Sequence, residues 1–492
     1  MIKKIIQIKN VGRYKNYNAD NTFSELSNNT VIYGNNGNGK TTLSLILKSL
    51  RGNNELIKKK QTFGTEEEQK IKILSDEGII QFKDGKWNKS NKNIEVFDIH
   101  YVEDNLITGS LLPDSSRSNL FEIVVGEEGI KLKKEALSLI QEQKTFQKKR
   151  KSLNNKLKFK KQELTGDDIS EIKIQLNFIK EEVKKRGLKI RDLNKKIGES
   201  TKDIFSNHIE EINKQLLFFT PYLQIKKFTG NNRHGKQLLS YYLNVSGFSV
   251  GFEKDKKTYS SVKYTLSEGD KSALAFSFFL AKLNISGNLE KKIIIFDDPI
   301  SSFDYSRRNA TINHLKRLGE KCNQIIVLTH DINFAKTLSS RFGSKNVLNL
   351  KIVKSKDSSV ITKQDIEEET LSGIFKDISI LKNYIENGVD SNIQKRDVIR
   401  CIRPIIEGII RIKFFTHIKH NEWLGDAIKK IRESSETDAM YRLRPVLDEL
   451  IDINDYSKSF HHSDPTNPWG DLINDEELKI YVNMTLNLIQ KI

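Results

Sequence analysis

Eight consecutive residues, Gly34-Asn35-Asn36-Gly37-Asn38-Gly39-Lys40-Thr41, spell G-x-x-x-x-G-K-T directly after the apolar run Val31-Ile32-Tyr33. That grammar suits a polyphosphate. Glycines let backbone N–H groups turn inward, Lys40 reaches the β- and γ-phosphates, and the Thr41 hydroxyl ligates Mg²⁺. A helix expected from Thr41 to about Leu50 directs its positive end at the anion. Far downstream, Ile293-Ile294-Ile295-Phe296-Asp297-Asp298 reads as a buried strand ending in two carboxylates. Such a pair suits a magnesium-holding acid, Asp297, followed by a water-activating acid, Asp298. Leu266-Ser267-Glu268-Gly269-Asp270 stands upstream and opens the apolar helix 272–283. Pro299-Ile300-Ser301-Ser302-Phe303-Asp304 and Thr329-His330-Asp331 follow. An apolar strand ending in Asp is common by itself, but this order of elements is specific.

The elements around these residues imply an α/β domain with a helical insert. The 492 residues allow about three domains with sizeable cores. No stretch approaches the ~18 apolar residues of a membrane span, the N-terminus reads as a strand rather than a signal peptide, and Cys322 and Cys401 form no C-x-x-C. A reducing cytoplasm is the plain expectation. The net charge of +18 points to an acidic partner, and 131–200 hold 21 Lys/Arg against 10 Asp/Glu. Both a solvated helical surface and a contact with nucleic-acid phosphate fit that excess.

The same stretch carries a heptad pattern: Leu132, Ala136, Leu139, Phe146, Leu153, Leu157 and Leu164, with Gln143, Arg150 and Lys160 interrupting. After Thr165-Gly166-Asp167-Asp168 it resumes as Ile172, Leu176, Ile179, Val183, Ile190, Leu193 and Ile197, with Arg186 off the pattern. Two arms of ~33 residues describe an antiparallel coiled-coil hairpin ~50 Å long. Its tip lacks the cysteine pair a zinc hook needs. Beyond it, 203–226 read as helical, 238–265 as β-rich, 292–296 and 324–328 as strands, and 365–492 as mostly helical. The expected domains are 1–127 and 228–365 as two parts of one lobe, 128–227 as the insert and 366–492 as a helical C-terminal domain.

In this order and spacing the motifs resemble ABC-type ATPases of the SMC-like branch. The resemblance implies an ATPase head interrupted by the coiled-coil hairpin, with ATP and Mg²⁺ as cofactors and an ATP-sandwich dimer as the working form. It implies that Gly34, Asn35, Asn36, Gly37, Asn38, Gly39, Lys40, Thr41 and Thr42 bind phosphates, and that Thr41 and Asp297 hold Mg²⁺. Ser267 and Gly269 act in trans on the partner's γ-phosphate, Asp298 polarises water, and His330 contacts the γ-phosphate. Asp304 lies in the loop that crosses the dimer, and a helix N-cap role is compatible with that. His330 also reads as an ordinary strand-end histidine. Two departures stand out: Glu268-Gly269-Asp270 replaces the usual Gly-Gly-Gln, and Asp298 replaces a longer Glu. Slow turnover, a switch held by ATP, follows from the shorter acid.

The details around 266–271 and 297–304 look most like the PrrC- and RloC-type anticodon nucleases of anti-phage defence. In that group the ATPase controls a helical ribonuclease domain with an Arg-x-x-x-Glu and a later His. This chain offers Arg403-Pro404-Ile405-Ile406-Glu407, then Phe460-His461-His462-Ser463-Asp464-Pro465. Metal-free RNA cleavage needs a base for the 2′-OH, an acid for the leaving oxygen and a cation for the phosphorane. Glu407, His461 or His462, and Arg403 supply those types. The bland alternatives are an i,i+4 ion pair and a turn closed by the histidines, and Pro404 is expected to kink or start the helix. Partners implied are a nucleic acid, whether tRNA, another RNA or DNA, and a partner nuclease or restriction system. The competing expectation is a sensor ATPase gating a separately encoded nuclease.

Overall fold

The computed structural model describes residues 1–19, 25–98, 101, 114–159, 165–233, 236–250, 265–343, 345–419, 421–461 and 473–492. The chain divides into two compact units, Met1–Gln364 and Asp365–Ile492. In the first unit, strands β1 (Ile2–Val11) and β2 (Tyr14–Asn18) form a hairpin, followed by β3 (Asn29–Gly34) and helix α1 (Lys40–Ser49). Strands β4 (Lys70–Ser75), β5 (Gly78–Lys83), β6 (Lys86–Trp87) and β7 (Ile94–Phe97) come next. The long helices α2 (Asp114–Phe159) and α3 (Gly166–Phe219) precede β8 (Leu223–Arg233), β9 (Lys236–Val245) and β10 (Phe248–Val250). Helix α4 (Glu268–Ser286), β11 (Ile293–Asp297), α5 (Tyr305–Gly319), β12 (Gln324–Thr329), α6 (Ile332–Phe342), β13 (Val347–Ser355) and β14 (Ser358–Lys363) complete it.

Six strands form the central sheet in the order β14-β13-β3-β12-β11-β7, parallel except for edge strand β14. Parallel strands covered on both faces carry continuous apolar runs, and Ile293-Ile294-Ile295-Phe296 is buried throughout. The parallel register brings Gly34, Asp297 and Thr329 to one sheet edge, the carboxyl ends of three neighbouring strands. In open α/β sheets ligands bind at that edge. A five-stranded sheet, β2-β1-β4-β5-β6, lies in the same apolar core through Ile5, Ile8, Tyr14, Ile71, Ile73 and Phe82.

The helical pair is longer than the heptads suggest. Helix α3 runs 54 residues without a break, about 80 Å at 1.5 Å per residue, and α2 begins at Asp114, ahead of the expected boundary at 128. The segment 203–226 is thus the end of the arm as far as Phe219, and β structure starts at Leu223. Thr165 caps α3 in a reciprocal box with Asp168. The two helices run antiparallel: Glu135 meets Lys189 at 3.1 Å and Glu142 meets Arg186 at 3.0 Å. Ala136, Leu153, Ile179 and Leu193 are buried along the seam. Of the polar positions, Gln143 donates to the Val183 carbonyl, and the off-pattern Arg186 lies over the Phe146 ring. Lys160 and Leu164 lie outside the described residues, as does the Ile197 side chain.

The second unit is built from α7 (Ile374–Asn387), α8 (Asn392–Lys413), α9 (Leu424–Glu433), α10 (Leu447–His461) and α11 (Asp475–Lys491). Helix α8 supplies the centre of its core with Ile399, Ile402, Ile405, Ile406 and Ile410, the 3.6-residue stripe of a helix buried on one face. Pro404 sits inside α8, which continues to Lys413. The helix therefore does not start at Pro404. From 365 to 492 the sequence holds 17 Lys/Arg against 23 Asp/Glu, a net of −6, so the positive charge of the chain resides before residue 365.

Candidate functional site

The phosphate-loop residues wrap the N-terminus of α1. Gly39 takes φ 104°, and a Cβ there would stand 3.0 Å from the Tyr14 ring, so only glycine fits. The Tyr14 hydroxyl bonds the Gly39 carbonyl, the Asn38 amide donates to the Ile352 carbonyl, and the Tyr33 hydroxyl donates to Asn35. These side-chain ties hold the loop without using its N–H groups. Lys40, 5% exposed, donates to the Gly34 carbonyl at 2.8 Å and lies 3.6 Å from Asp298. Thr42 is buried, its side chain seated against Gly12, where a Cβ would come within 2.7 Å of its hydroxyl. Thr42 therefore packs the loop's helix against the turn between β1 and β2.

The Thr41 side chain lies beside Asp297 and favours its ionised carboxylate. Burial is the main influence pushing the Asp297 carboxyl up to about 6; the neighbouring charges of Asp298 and Asp98 add to it, and Thr41 and Lys40 oppose it. One of its oxygens, Oδ1, is buried without a hydrogen-bond partner. A buried unpaired carboxylate oxygen is costly, and a hard divalent cation satisfies it. Among the described residues no group of three or more His, Cys, Asp or Glu forms a metal cage. Magnesium on a nucleotide takes only one or two protein oxygens beside the phosphates. Thr41 and Asp297 fit that role.

Asp298 has φ 51°, in the left-handed region, which Asp tolerates better than most residues but at a cost. The turn aims its carboxylate between Lys40 and His330. His330 donates to Oδ1 twice, through its backbone N–H at 3.0 Å and Nδ1 at 2.7 Å. An ionised carboxylate only accepts, so Nδ1 carries a proton. Lys40, Asp297, Asp298 and His330 are thus one cluster, although they come from three separate stretches of sequence.

Ser267 caps α4 in a reciprocal box with Asp270, and Gly269 lies in its first turn. Asp304 caps α5 by accepting from the Arg307 N–H at 2.9 Å, and Asp331 caps α6. Tyr305, beside Asp304, is exposed. Three charged neighbours of these residues escaped the sequence motifs. Asp98, fully buried, bonds Lys48 at 2.7 Å and lies close enough to Asp297 to raise its pKa. Arg307 pairs with Asp270, and Arg308 pairs with Asp331 at 2.6 Å. The arginines follow Asp304 by three and four residues, a helical spacing that was the available signal.

In the second unit Arg403 Nε lies 2.6 Å from Glu407 Oε1, on one face of the unbroken helix α8. The same oxygen accepts from the Leu424 N–H at 2.9 Å, at the first turn of α9. Glu407 therefore already has a structural role, anchoring a helix N-terminus where a carboxylate is favoured. The His461 side chain and the whole of His462 lie outside the described residues.

Among known proteins, the chain is 40% identical over 76 residues to the uncharacterized chromosomal cassette SCCmec type IVc protein CR006 of Staphylococcus aureus. That match covers 14% of this chain and 10% of the relative. It is 35% identical over 77 residues to the hemin import ATP-binding protein HmuV of Vibrio vulnificus, covering 15% of this chain and 29% of that protein. The chain thus spans from a tenth to under a third of these relatives' lengths. Among solved structures, the Smc head domain with an extended coiled coil from Pyrococcus furiosus, bound to the C-terminal domain of ScpA, matches with a TM-score of 0.45. Sequence identity there is 13%, over 75% of this chain and 97% of that one. A family model described as AAA domain matches residues 167–444. That span is more than half of the sequence and takes in Ser267, Asp297, Asp298 and His330. The chain belongs to the AAA domain family.

Proposed function

We propose that the chain is a magnesium-dependent ABC-type ATPase of the SMC-like kind that works as an ATP-bridged dimer and controls its helical C-terminal unit. The observation that carries this reading is the convergence of the phosphate loop, Asp297, Asp298 and His330 at one sheet edge. A relative named as an ATP-binding protein agrees over the 77 residues it shares. Loop N–H groups and the α1 N-terminus receive the phosphates, and Lys40 turns from the Gly34 carbonyl to the β- and γ-phosphates. Thr41 and Asp297 would hold magnesium, which when bound would offset the charge that develops on the phosphates. Asp298 accepts the proton of the attacking water, and His330 orients that carboxylate. Ser267 and Gly269 complete the partner's site across the dimer. The test is ATP hydrolysis by the full chain with Lys40→Ala and Asp298→Ala: loss of binding in the first, and retained binding without turnover in the second.

For the C-terminal unit the reading is an RNA-cleaving, anticodon-nuclease-like effector in phage defence, supported by the resemblance and by Arg403 and Glu407 sharing a helix face. RNA sequencing of cells expressing the chain against Arg403→Ala tests it, with cleaved tRNA ends in the first alone as the expected result. One observation favours a second reading, a sensor ATPase gating a separately encoded nuclease. Glu407 is engaged by the Leu424 N–H, which gives the pair a purely structural use. Growth arrest that survives Arg403→Ala, or that needs a second gene, decides for the sensor.

A further inference from the structure

The end of the long helix α3 meets two motifs of the ATPase at a single side chain. Arg307, in the first turn of α5, is largely buried. Its Nε donates to the carbonyl of Phe219, the last residue of α3, at 3.0 Å. Such terminal carbonyls have no partner within their own helix. Its Nη2 donates to Asp270 Oδ1 at 2.7 Å and to the Tyr222 hydroxyl at 3.1 Å, and Tyr222 donates to the same Asp270 oxygen at 2.6 Å. The other Asp270 oxygen accepts from the Ser267 N–H at 3.1 Å and its hydroxyl at 2.8 Å. A Cβ on Gly269 would stand 2.4 Å from Arg307 Nη1 and 3.0 Å from the Ser302 carbonyl. Glycine at 269 is therefore what lets the guanidinium reach.

The same turn of α5 extends further. Asp304 caps it at the Arg307 N–H, and Arg308 ties it to Asp331, the residue after His330. The Phe219 ring stacks on Phe303 and His314, so the α3 end bears on α5 through packing as well as through polar bonds. A planar guanidinium with donors in a fixed fork suits three acceptors in fixed directions, and an ammonium does not.

We infer that Arg307 is a positioning residue for ATP hydrolysis, keying the Ser267–Asp270 turn and the first turn of α5 to the root of the helical pair. Movement at the root of α3 is thereby passed to the surface that completes the partner's nucleotide site. The inference rests on the ATPase reading. It also gives Asp270, the departure from the usual Gln, a specific use as the acceptor for Arg307.

Steady-state hydrolysis and MgATP titration on the full chain test it, with Arg307→Lys, Asp270→Asn, Arg307→Gln, the double variant Asp270→Asn/Arg307→Gln and the milder Tyr222→Phe. MgATP affinity at low protein concentration is expected to stay within about twofold, because Lys40 and Asp297 are untouched. Turnover by Arg307→Lys is expected to fall about 10²-fold, the scale of a misplaced catalytic surface. The double variant is expected to lose no more than its worse single, as members of one network do. Hydrogen exchange adds a readout that mere stability would not move. MgATP should change protection at 212–222 in the wild type but not in Arg307→Lys, while protection of 34–42 by MgATP persists in both. Wild-type turnover in Arg307→Lys, or additive losses in the double variant, overturns the inference. If Arg307→Lys fails to fold, Tyr222→Phe carries the test, and unchanged turnover there overturns it equally. A wild-type chain that binds no MgATP fails the ATPase reading and the inference together, whereas a wild type and an Arg307→Lys variant of equal activity fail the inference alone.

Discussion

At the scale of single residues, Asp298 is the most informative. Its left-handed φ and its double contact with His330 show a carboxylate held in place by backbone geometry as well as by charge. Asp298→Asn is expected to keep MgATP binding and lower turnover by 10²–10⁴, the usual loss of a general base, as measured by phosphate release. Glu407 behaves differently, because its carboxylate joins two helices. Glu407→Ala leaves the Leu424 N–H and Arg403 without a partner, and is expected to lower the melting temperature of the chain as well as any RNA cleavage. Arg403→Ala separates the two roles, and a variant that loses growth arrest but melts like the wild type points to chemistry. The motif residues were legible in the sequence because their types and order are the ones that phosphate, magnesium and water chemistry would require. Asp98 was not legible, and for Arg307 the helical spacing from Asp304 did not mark that it meets Asp270 and the Phe219 carbonyl across the fold.

Elements show the same division. The strands β3, β11 and β12 announced themselves through continuous apolar runs, and Asp304 read as a helix N-cap, which it is. The length of α3 was obscured because the heptads fade beyond Ile197 while the helix continues to Phe219. Pro404 misled in the other direction. An apolar face packed in the core offsets the one lost backbone bond, and α8 stays whole. The exposed cations Lys148, Lys149, Arg150 and Lys151 lie on α2. Reversing all four to Glu is expected to weaken nucleic-acid binding. Wild-type affinity should fall steeply with salt, as phosphate contacts require, and salt-independent binding leaves the charge as a solvated surface. In the second unit, Asp475 at the start of α11 is held down to about 2, chiefly by Lys479, with Tyr384 and Lys395 adding. A depressed carboxyl stabilises above its ordinary range and loses that contribution as pH falls through its folded value. The melting temperatures of wild type and Asp475→Asn are therefore expected to differ at pH 5 and to converge as pH approaches 2.

For the whole molecule, the two units differ in charge as well as in architecture. A positively charged first unit bears the phosphate loop and the basic helices, and a net-negative helical unit follows. No helix among the described residues is long and apolar enough to cross a membrane. On the proposed reading one chain holds only half of a working ATP site, with Ser267 and Gly269 serving the opposite protomer while Lys40, Asp297 and Asp298 serve their own. The most direct measurement is phosphate release per protomer across a wide range of chain concentration at saturating MgATP. Turnover that climbs with concentration to a plateau, in step with dimer formation by sedimentation, is the expected result. Turnover per protomer that stays flat down to concentrations at which only monomer sediments would mean that one chain hydrolyses ATP without a partner.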